Sequence, residues 1–243
     1  MAPSIHICSN AEAVAQTAAS FTANRIRSVL QTQNRFCIAL SGGSTPKRLH
    51  ELLAAPPFRE QIDWSKLHIF WGDERYVPLD DTRNNARMAY DTLLNHVPVP
   101  EDQIHLMQTD YPDPAESAHA YERILHRYFD GQPHSFDLLL LGMGDDGHTL
   151  SLFPGTEVVH EMKRWCAAFY LQQQDMFRVT ITRPIANASS CVLFLTTGAA
   201  KAPALHEVLQ GPTNIDLYPS QTIRPEKGEL HWIVDEAAAA KLQ

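Results

Sequence analysis

Asp146 and His148 stand two residues apart in LLLLGMGDDGHTLSLFP, residues 138–154. A histidine titrating near neutrality beside a carboxylate is the pairing that general-base catalysis uses, the carboxylate orienting the imidazole and stabilising its protonated form. The same stretch spells G-x-G-x-x-G through Gly142, Gly144 and Gly147, the spacing of a dinucleotide-binding turn. That alternative fails on charge, because Asp145 and Asp146 would face a pyrophosphate with like sign. It also lacks the acidic ribose ligand about 20 residues further on, where RWCAAFYL runs instead. With 12 histidines in the chain, the loop context carries the assignment rather than the residue type.

Three further loops follow apolar, strand-like runs. After RFCIAL comes SGGSTP, in which Gly42 and Gly43 permit positive φ, Thr45 is placed to cap and Pro46 to open a helix. Such a turn aims backbone N–H groups and hydroxyls of Ser44 and Thr45 at one point, which suits a phosphate. No G-K-[ST] is present, so a nucleoside triphosphate is not the expected ligand. After KLHIFW come Asp73, Glu74 and Arg75; a strand end makes Arg75 a candidate fork for phosphate or carboxylate. After CVLFL comes Gly198 and a helix with Lys201 in its expected first turn, a position unfavourable to a cation unless an anion binds there. Arg178, in FRVTIT, is a weaker candidate for the same anion.

The elements that would position these loops read as alternating strands and helices. SIHIC, RFCIAL, KLHIFW, FDLLLL, WCAAFYL, RVTIT, CVLFL and LHWIVD are β-rich runs, several of them apolar at consecutive positions, as strands covered on both faces are. Helical spacing occupies 10–31 with Asn10 as N-cap, and 84–95, 114–129, 199–209 and 235–242. The pattern predicts an α/β fold with a doubly wound, mostly parallel sheet, helices on both faces and ligands at the carboxyl ends of strands. Residues 1–243 are read as a single α/β domain, a size at which one domain is common.

Composition narrows the function classes. A net charge of −8 and the lack of any Lys/Arg run argue against nucleic acid and anionic membranes, and they require any phosphate pocket to be locally basic. The longest apolar runs are far short of the ~20 residues that span a bilayer, and a cytoplasmic protein is expected. The four cysteines show no C-x-x-C spacing and are expected to be reduced thiols. The acidic residues and histidines of the four loops likewise lack the spacing of a metal site.

Taken together, SGGSTP, WGDERYVP, LGMGDDGHTLSLFPGT, FRVTIT, TTGAAKAPAL and GELHWIVDEAAAAKL resemble the 6-phosphogluconolactonase family, in order from about Ala39 to the C-terminus. The resemblance implies a Rossmann-like fold related to aminosugar-phosphate deaminases. It also implies hydrolysis of 6-phospho-D-glucono-1,5-lactone, a sugar-phosphate lactone, with no required metal or organic cofactor. It makes His148 the general base; Asp146, two residues away, or another carboxylate would stabilise the imidazolium. Arg75 and Lys201 become phosphate ligands alongside the Gly42, Gly43, Ser44 and Thr45 turn, with Asp73 close to the sugar. A monomer or weak homo-oligomer is expected. Two alternatives remain: an aminosugar-6-phosphate deaminase/isomerase, and a sugar-phosphate sensor without turnover. Deaminases resemble D-E-Y where this chain has DER, and carry a glutamate where it has Phe153 before Pro154. Asn84 replaces the family's usual serine and can hydrogen-bond in the same way.

Overall fold

The structure, a computed structural model, describes residues 3–243. In chain order it runs β1 (Ser4–Cys8), α1 (Ala11–Val29), β2 (Phe36–Leu40), α2 (Ser44–Leu53), α3 (Phe58–Gln61), β3 (Leu67–Trp71) and β4 (Asp73–Arg75). Then come α4 (Asn85–Thr92), α5 (Pro114–Phe129), β5 (Leu138–Gly142), β6 (Cys166–Leu171), β7 (Met176–Ile181) and α6 (Arg183–Asn187). The chain continues through β8 (Cys191–Thr196), α7 (Ala202–Gln210), β9 (Glu229–Asp235) and α8 (Glu236–Ala239).

Six strands form a parallel sheet in the order β1-β9-β8-β5-β2-β3. The chain moves outward from β2 to β3, then returns to place β5 on the other side of β2. The carboxyl ends of β2 and β5 therefore flank the point where strand order reverses, the crevice at which open α/β sheets bind ligands. The consecutive apolar residues of the central strands serve both faces, as expected. In β5, Leu138 and Leu140 enter a core with α1, α2 and α4, whereas Leu139 and Leu141 enter one with α5 and α7. Each of the four is buried, a contribution of about 2 kcal/mol apiece. The edge strand β1 is exposed along most of its length.

The runs WCAAFYL and RVTIT do form strands, but in a second sheet. β6 and β7 are an antiparallel hairpin, and β4 pairs antiparallel with β7 to give the order β4-β7-β6. Periodicity marks a run as a strand without naming its partner, so this sheet was not visible in sequence. A single residue, Gly72, joins β3 in the large sheet to β4 in the small one; it donates to Leu40 O (3.0 Å) and accepts from Ile181 N (2.8 Å).

Helix ends follow local chemistry. Asn10 caps α1 through Ala13 N (3.0 Å), and Asp113 caps α5 ahead of Pro114. α2 differs from expectation: it starts at Ser44 and has no side-chain cap, because Gly43 at φ 106° takes the cap position and leaves Thr45 inside the first turn. Thr45 Oγ1 instead meets Thr197 Oγ1 at 3.0 Å. Lys201 closes a 3₁₀ turn (Ala199–Lys201) rather than sitting inside α7, and α8 is a single turn capped by Asp235. Among the described residues, no helix is long and apolar enough to cross a membrane.

α2 also carries a buried titratable group. His50 has Thr92 Oγ1 3.3 Å from Nδ1 and, among the described residues, no partner at Nε2, and burial pulls its pKa down to about 4. Folded His50 is therefore neutral where the unfolded chain, with its histidine near 6.5, takes a proton. The stability that neutral His50 contributes is complete above pH 6.5 and is lost as pH falls towards about 4, up to about 3 kcal/mol in all. Urea unfolding at about pH 7 and about pH 4.5 should show a smaller acid loss in His50→Leu than in the parent. Identical losses would mean that His50 charges in the fold without cost.

Candidate active site

A cavity of about 230 Å³ opens between the carboxyl ends of β2 and β5, with the small sheet as its far wall. It draws lining residues from all four loops singled out in the sequence: Gly42 and Gly43, Asp73 and Arg75, His148, and Lys201. Arg178 lines it from β7. Ser44, Thr45 and Asp146 are not among the lining residues; Asp146 reaches the cavity only through His148, and Thr45 Oγ1 meets Thr197. With Arg75, Arg178 and Lys201 against Asp73, the cavity is locally basic within an acidic chain.

The loop after β5 presents the histidine. Asp146 Oδ1 accepts from His148 N (3.0 Å) and pairs with His148 Nδ1 (2.6 Å), which assigns the Nδ1–H tautomer and leaves Nε2 to accept a proton. Burial raises the Asp146 carboxyl, but the hydrogen bonds and charge of His148 outweigh it and hold the pKa below the usual carboxylate value. Phe153 stacks on the imidazole at 4.0 Å and 24°, fixing the plane of the ring. The loop folds back on itself through Gly144 N to His148 O (2.8 Å). The glycines are required by space: a Cβ on Gly144 would lie 2.2 Å from His148 Nδ1, and Gly147 turns at φ 79° against Tyr218.

The opposite wall is a buried polar network. Asp73, 7% exposed, accepts from Ser151 Oγ (2.6 Å) and stands 3.6 Å from Arg178 Nη1. Arg178 is 3% exposed, lies 5.6 Å from the Phe153 ring centroid and donates to Gln174 at the hairpin tip; its Nε has no protein partner among the described residues. Burial lowers its pKa, with Asp73 opposing and the neighbouring charge of Arg75 adding to the fall. The weaker sequence candidate is thus the most deeply buried cation of the site. Arg75 reaches out from β4 and anchors Nη1 on Arg83 O at 2.8 Å.

Glu74, the other carboxylate of the DER triplet, points away from the cavity and accepts three backbone N–H groups from Arg75, Asn85 and Ala86. Among the lining residues that the sequence reading did not single out are Asn85 and Gln174, whose amides face the polar wall. The signal for Asn85 was present in NNAR: Asn84 caps α4 through Arg87 N (3.0 Å), which sets Asn85 at the start of the helix. Gln174 had no signal, since only the fold of the β6–β7 hairpin brings it near.

At the phosphate-suited end, α2 opens without a side-chain cap, Pro46 has no N–H and Lys47 N is bonded to Gly43 O (3.0 Å), which leaves the N–H groups of Ser44 and Thr45 for an anion. Asp235 accepts Gly198 N at 3.0 Å with both oxygens and so fixes the turn that carries Lys201. Among the described residues, one group has metal-ligand proximity: Cys191, Glu229 and His231. It lies at the amino ends of β8 and β9, away from the cavity, and Glu229 is already held by Arg25 (3.0 Å) and His231 (2.9 Å).

Residues 9–232 match the family described as glucosamine-6-phosphate isomerases/6-phosphogluconolactonase. The chain is 44% identical to a 6-phosphogluconolactonase of Nostoc sp. over 222 residues, covering 90% of this chain and 89% of that one. It is 39% identical to a 6-phosphogluconolactonase of Synechocystis sp., with both chains covered in full. The structure of a 6-phosphogluconolactonase from Trypanosoma cruzi superposes with a TM-score of 0.87 at 30% identity, covering 100% of this chain and 98% of that one.

Proposed function

The chain belongs to the glucosamine-6-phosphate isomerase/6-phosphogluconolactonase family, and from that premise we propose that it hydrolyses 6-phospho-D-glucono-1,5-lactone to 6-phospho-D-gluconate. The observation that carries this reading is one cavity holding the Asp146-supported His148 opposite three cations. Phe153 supports the lactonase over the deaminase branch: an apolar ring stacks on the imidazole where deaminases resemble a glutamate. A ring-opening, proton-shuttling reaction at an amino carbon needs that carboxylate, and lactone hydrolysis does not.

The mechanism follows from the geometry. Neutral His148 takes a proton from water at Nε2 as the oxygen attacks the lactone carbonyl, and Asp146 stabilises the imidazolium through Nδ1–H. The tetrahedral intermediate then expels the ring oxygen, which takes the proton back from Nε2, so the base is regenerated. Arg178, the deeply buried cation of the lining, would stabilise negative charge developing beside it. Arg75, Lys201 and the Gly42–Gly43 turn hold the phosphate, with the backbone N–H groups of Ser44 and Thr45 behind that turn, and its binding positions the carbonyl without entering the reaction. The four free cysteines suit a cytoplasmic setting, and a small-molecule substrate requires nothing beyond a monomer or weak homo-oligomer.

The test generates the lactone in situ from glucose 6-phosphate with its dehydrogenase and follows its loss with and without this protein. Disappearance faster than the spontaneous rate, with no ammonia from glucosamine 6-phosphate, is the expected result. Ammonia release as the faster activity would move the assignment to the deaminase branch, and binding without turnover would make the protein a sensor. Arg75→Ala and Lys201→Ala should each raise KM for the phosphorylated lactone on the order of tenfold, with little change on unphosphorylated gluconolactone. Equal losses on both substrates would show that these cations act away from the phosphate.

A further inference from the structure

The Glu74 carboxylate is 1% exposed, yet no side-chain cation neutralises it by direct contact. Its oxygens accept backbone N–H groups from Asn85 (2.7 Å), Arg75 (2.8 Å) and Ala86 (2.9 Å). Two of these are opening N–H groups of α4, which a helix leaves without internal partners. The next two are taken by Asn84, Arg87 N through its side chain (3.0 Å) and Met88 N through its carbonyl (3.2 Å). The first turn of α4 is thus fully satisfied, half by its own cap and half by a carboxylate from β4 that also suits the positive end of the helix.

What this arrangement delivers is the order of the cavity wall. Asn85, 3% exposed, donates Nδ2 to Asp73 O (2.9 Å), and its Oδ1 occupies the space where Gly42 lacks a side chain: a Cβ there would lie 2.0 Å away. One amide therefore bridges β4, α4 and the turn after β2. Arg75 is held twice, by its N–H on Glu74 and its Nη1 on Arg83 O. Burial drives the Glu74 pKa up to about 7, the three N–H bonds pulling it down and Asp73 adding to the rise. A group costly to bury has been kept where only the anchoring of these elements uses it.

We propose that Glu74 is the positioning residue of the anion-binding end of the cavity, holding Arg75 and Asn85 against the Gly42–Gly43 turn, so that its loss weakens binding of the phosphorylated end and spares proton transfer at His148. The identity of the anion rests on the lactonase reading; the clamp itself does not.

Glu74→Gln keeps the volume but sets an amide N–H₂ against an N–H donor. KM for the phosphorylated lactone and Kd for 6-phosphogluconate should rise about tenfold, with kcat within about twofold and unphosphorylated gluconolactone unaffected. Asn85→Ala should act in the same direction. The double variant should be no worse than the poorer single, because both break one unit. Glu74→Asp, which keeps the charge on a shorter arm, should fall between parent and Gln, and it replaces Glu74→Gln in the cycle if that chain does not fold. A lower Tm with KM and Kd unmoved would reduce Glu74 to a stability residue, and additive effects or equal losses on both substrates would overturn the clamp. Calorimetric titration with 6-phosphogluconate and with inorganic phosphate needs no turnover, so a parent protein that fails to hydrolyse the lactone leaves this test intact.

Discussion

Replacing His148 by Ala should lower kcat on the order of 10² to 10⁴, with the Kd for 6-phosphogluconate nearly unchanged. The separation follows from the site's layout. The imidazole accepts the proton at Nε2 while its other nitrogen is committed to Asp146, and the phosphate-suited cations stand on different strands and loops. The lactone hydrolyses on its own in base, so the uncatalysed rate must be subtracted at each pH. His148→Asn, which keeps polarity without basicity, should fall as far as His148→Ala. A His148→Ala protein with most of the parent kcat after that correction would remove the histidine as base. The role would then pass to Asp73, since Glu74 faces away with its oxygens engaged.

The second large effect is expected at a residue with no functional group. Gly144→Ala would place a methyl 2.2 Å from His148 Nδ1 and 2.4 Å from Asp146 Oδ1, closer than any side-chain carbon can lie. The backbone at Gly144 is not in the left-handed region, so the substitution carries no conformational strain of its own and the chain should fold. Something in the pair must swing aside. A misplacement of about 1 Å in a catalytic group costs on the order of 10²-fold, and kcat should fall by at least that much with product binding retained. Stability to urea should change by far less than activity does. Parent-like turnover in Gly144→Ala would mean that the 2.6 Å His148–Asp146 contact is not used in the reaction.

Both substitutions fall in the loop that the sequence displayed most openly. The glycine turn after β2, the DER strand end, the Asp146–His148 pair and Lys201 were legible because each follows an apolar run that ends abruptly, and parallel strands bring such ends to one side. Local chemistry was enough there. Arg178 and Gln174 were not legible in the same way, because their place in the wall depends on β6 and β7 pairing with β4 and not with the large sheet. Thr45 shows the opposite error. A threonine ahead of a proline reads as a cap, but Gly43 at φ 106° starts the helix earlier and turns that hydroxyl towards Thr197. Glu74 was legible as a charge and not as an anchor, since the N–H groups it accepts carry no mark in sequence.

Gly72 has a consequence for how the enzyme works as a machine. The two walls of the cavity belong to different sheets. Here they are continuous through one residue whose N–H and C=O are bonded in opposite directions, to Leu40 in one sheet and Ile181 in the other. Swinging the small sheet against the large one at this seam would cost the bond to Leu40 or the bond to Ile181. The shape of the slot between the two sheets is thus tied to a single bonded residue, and relaxing it to admit a bulkier ring would disturb the ladder on one side or the other.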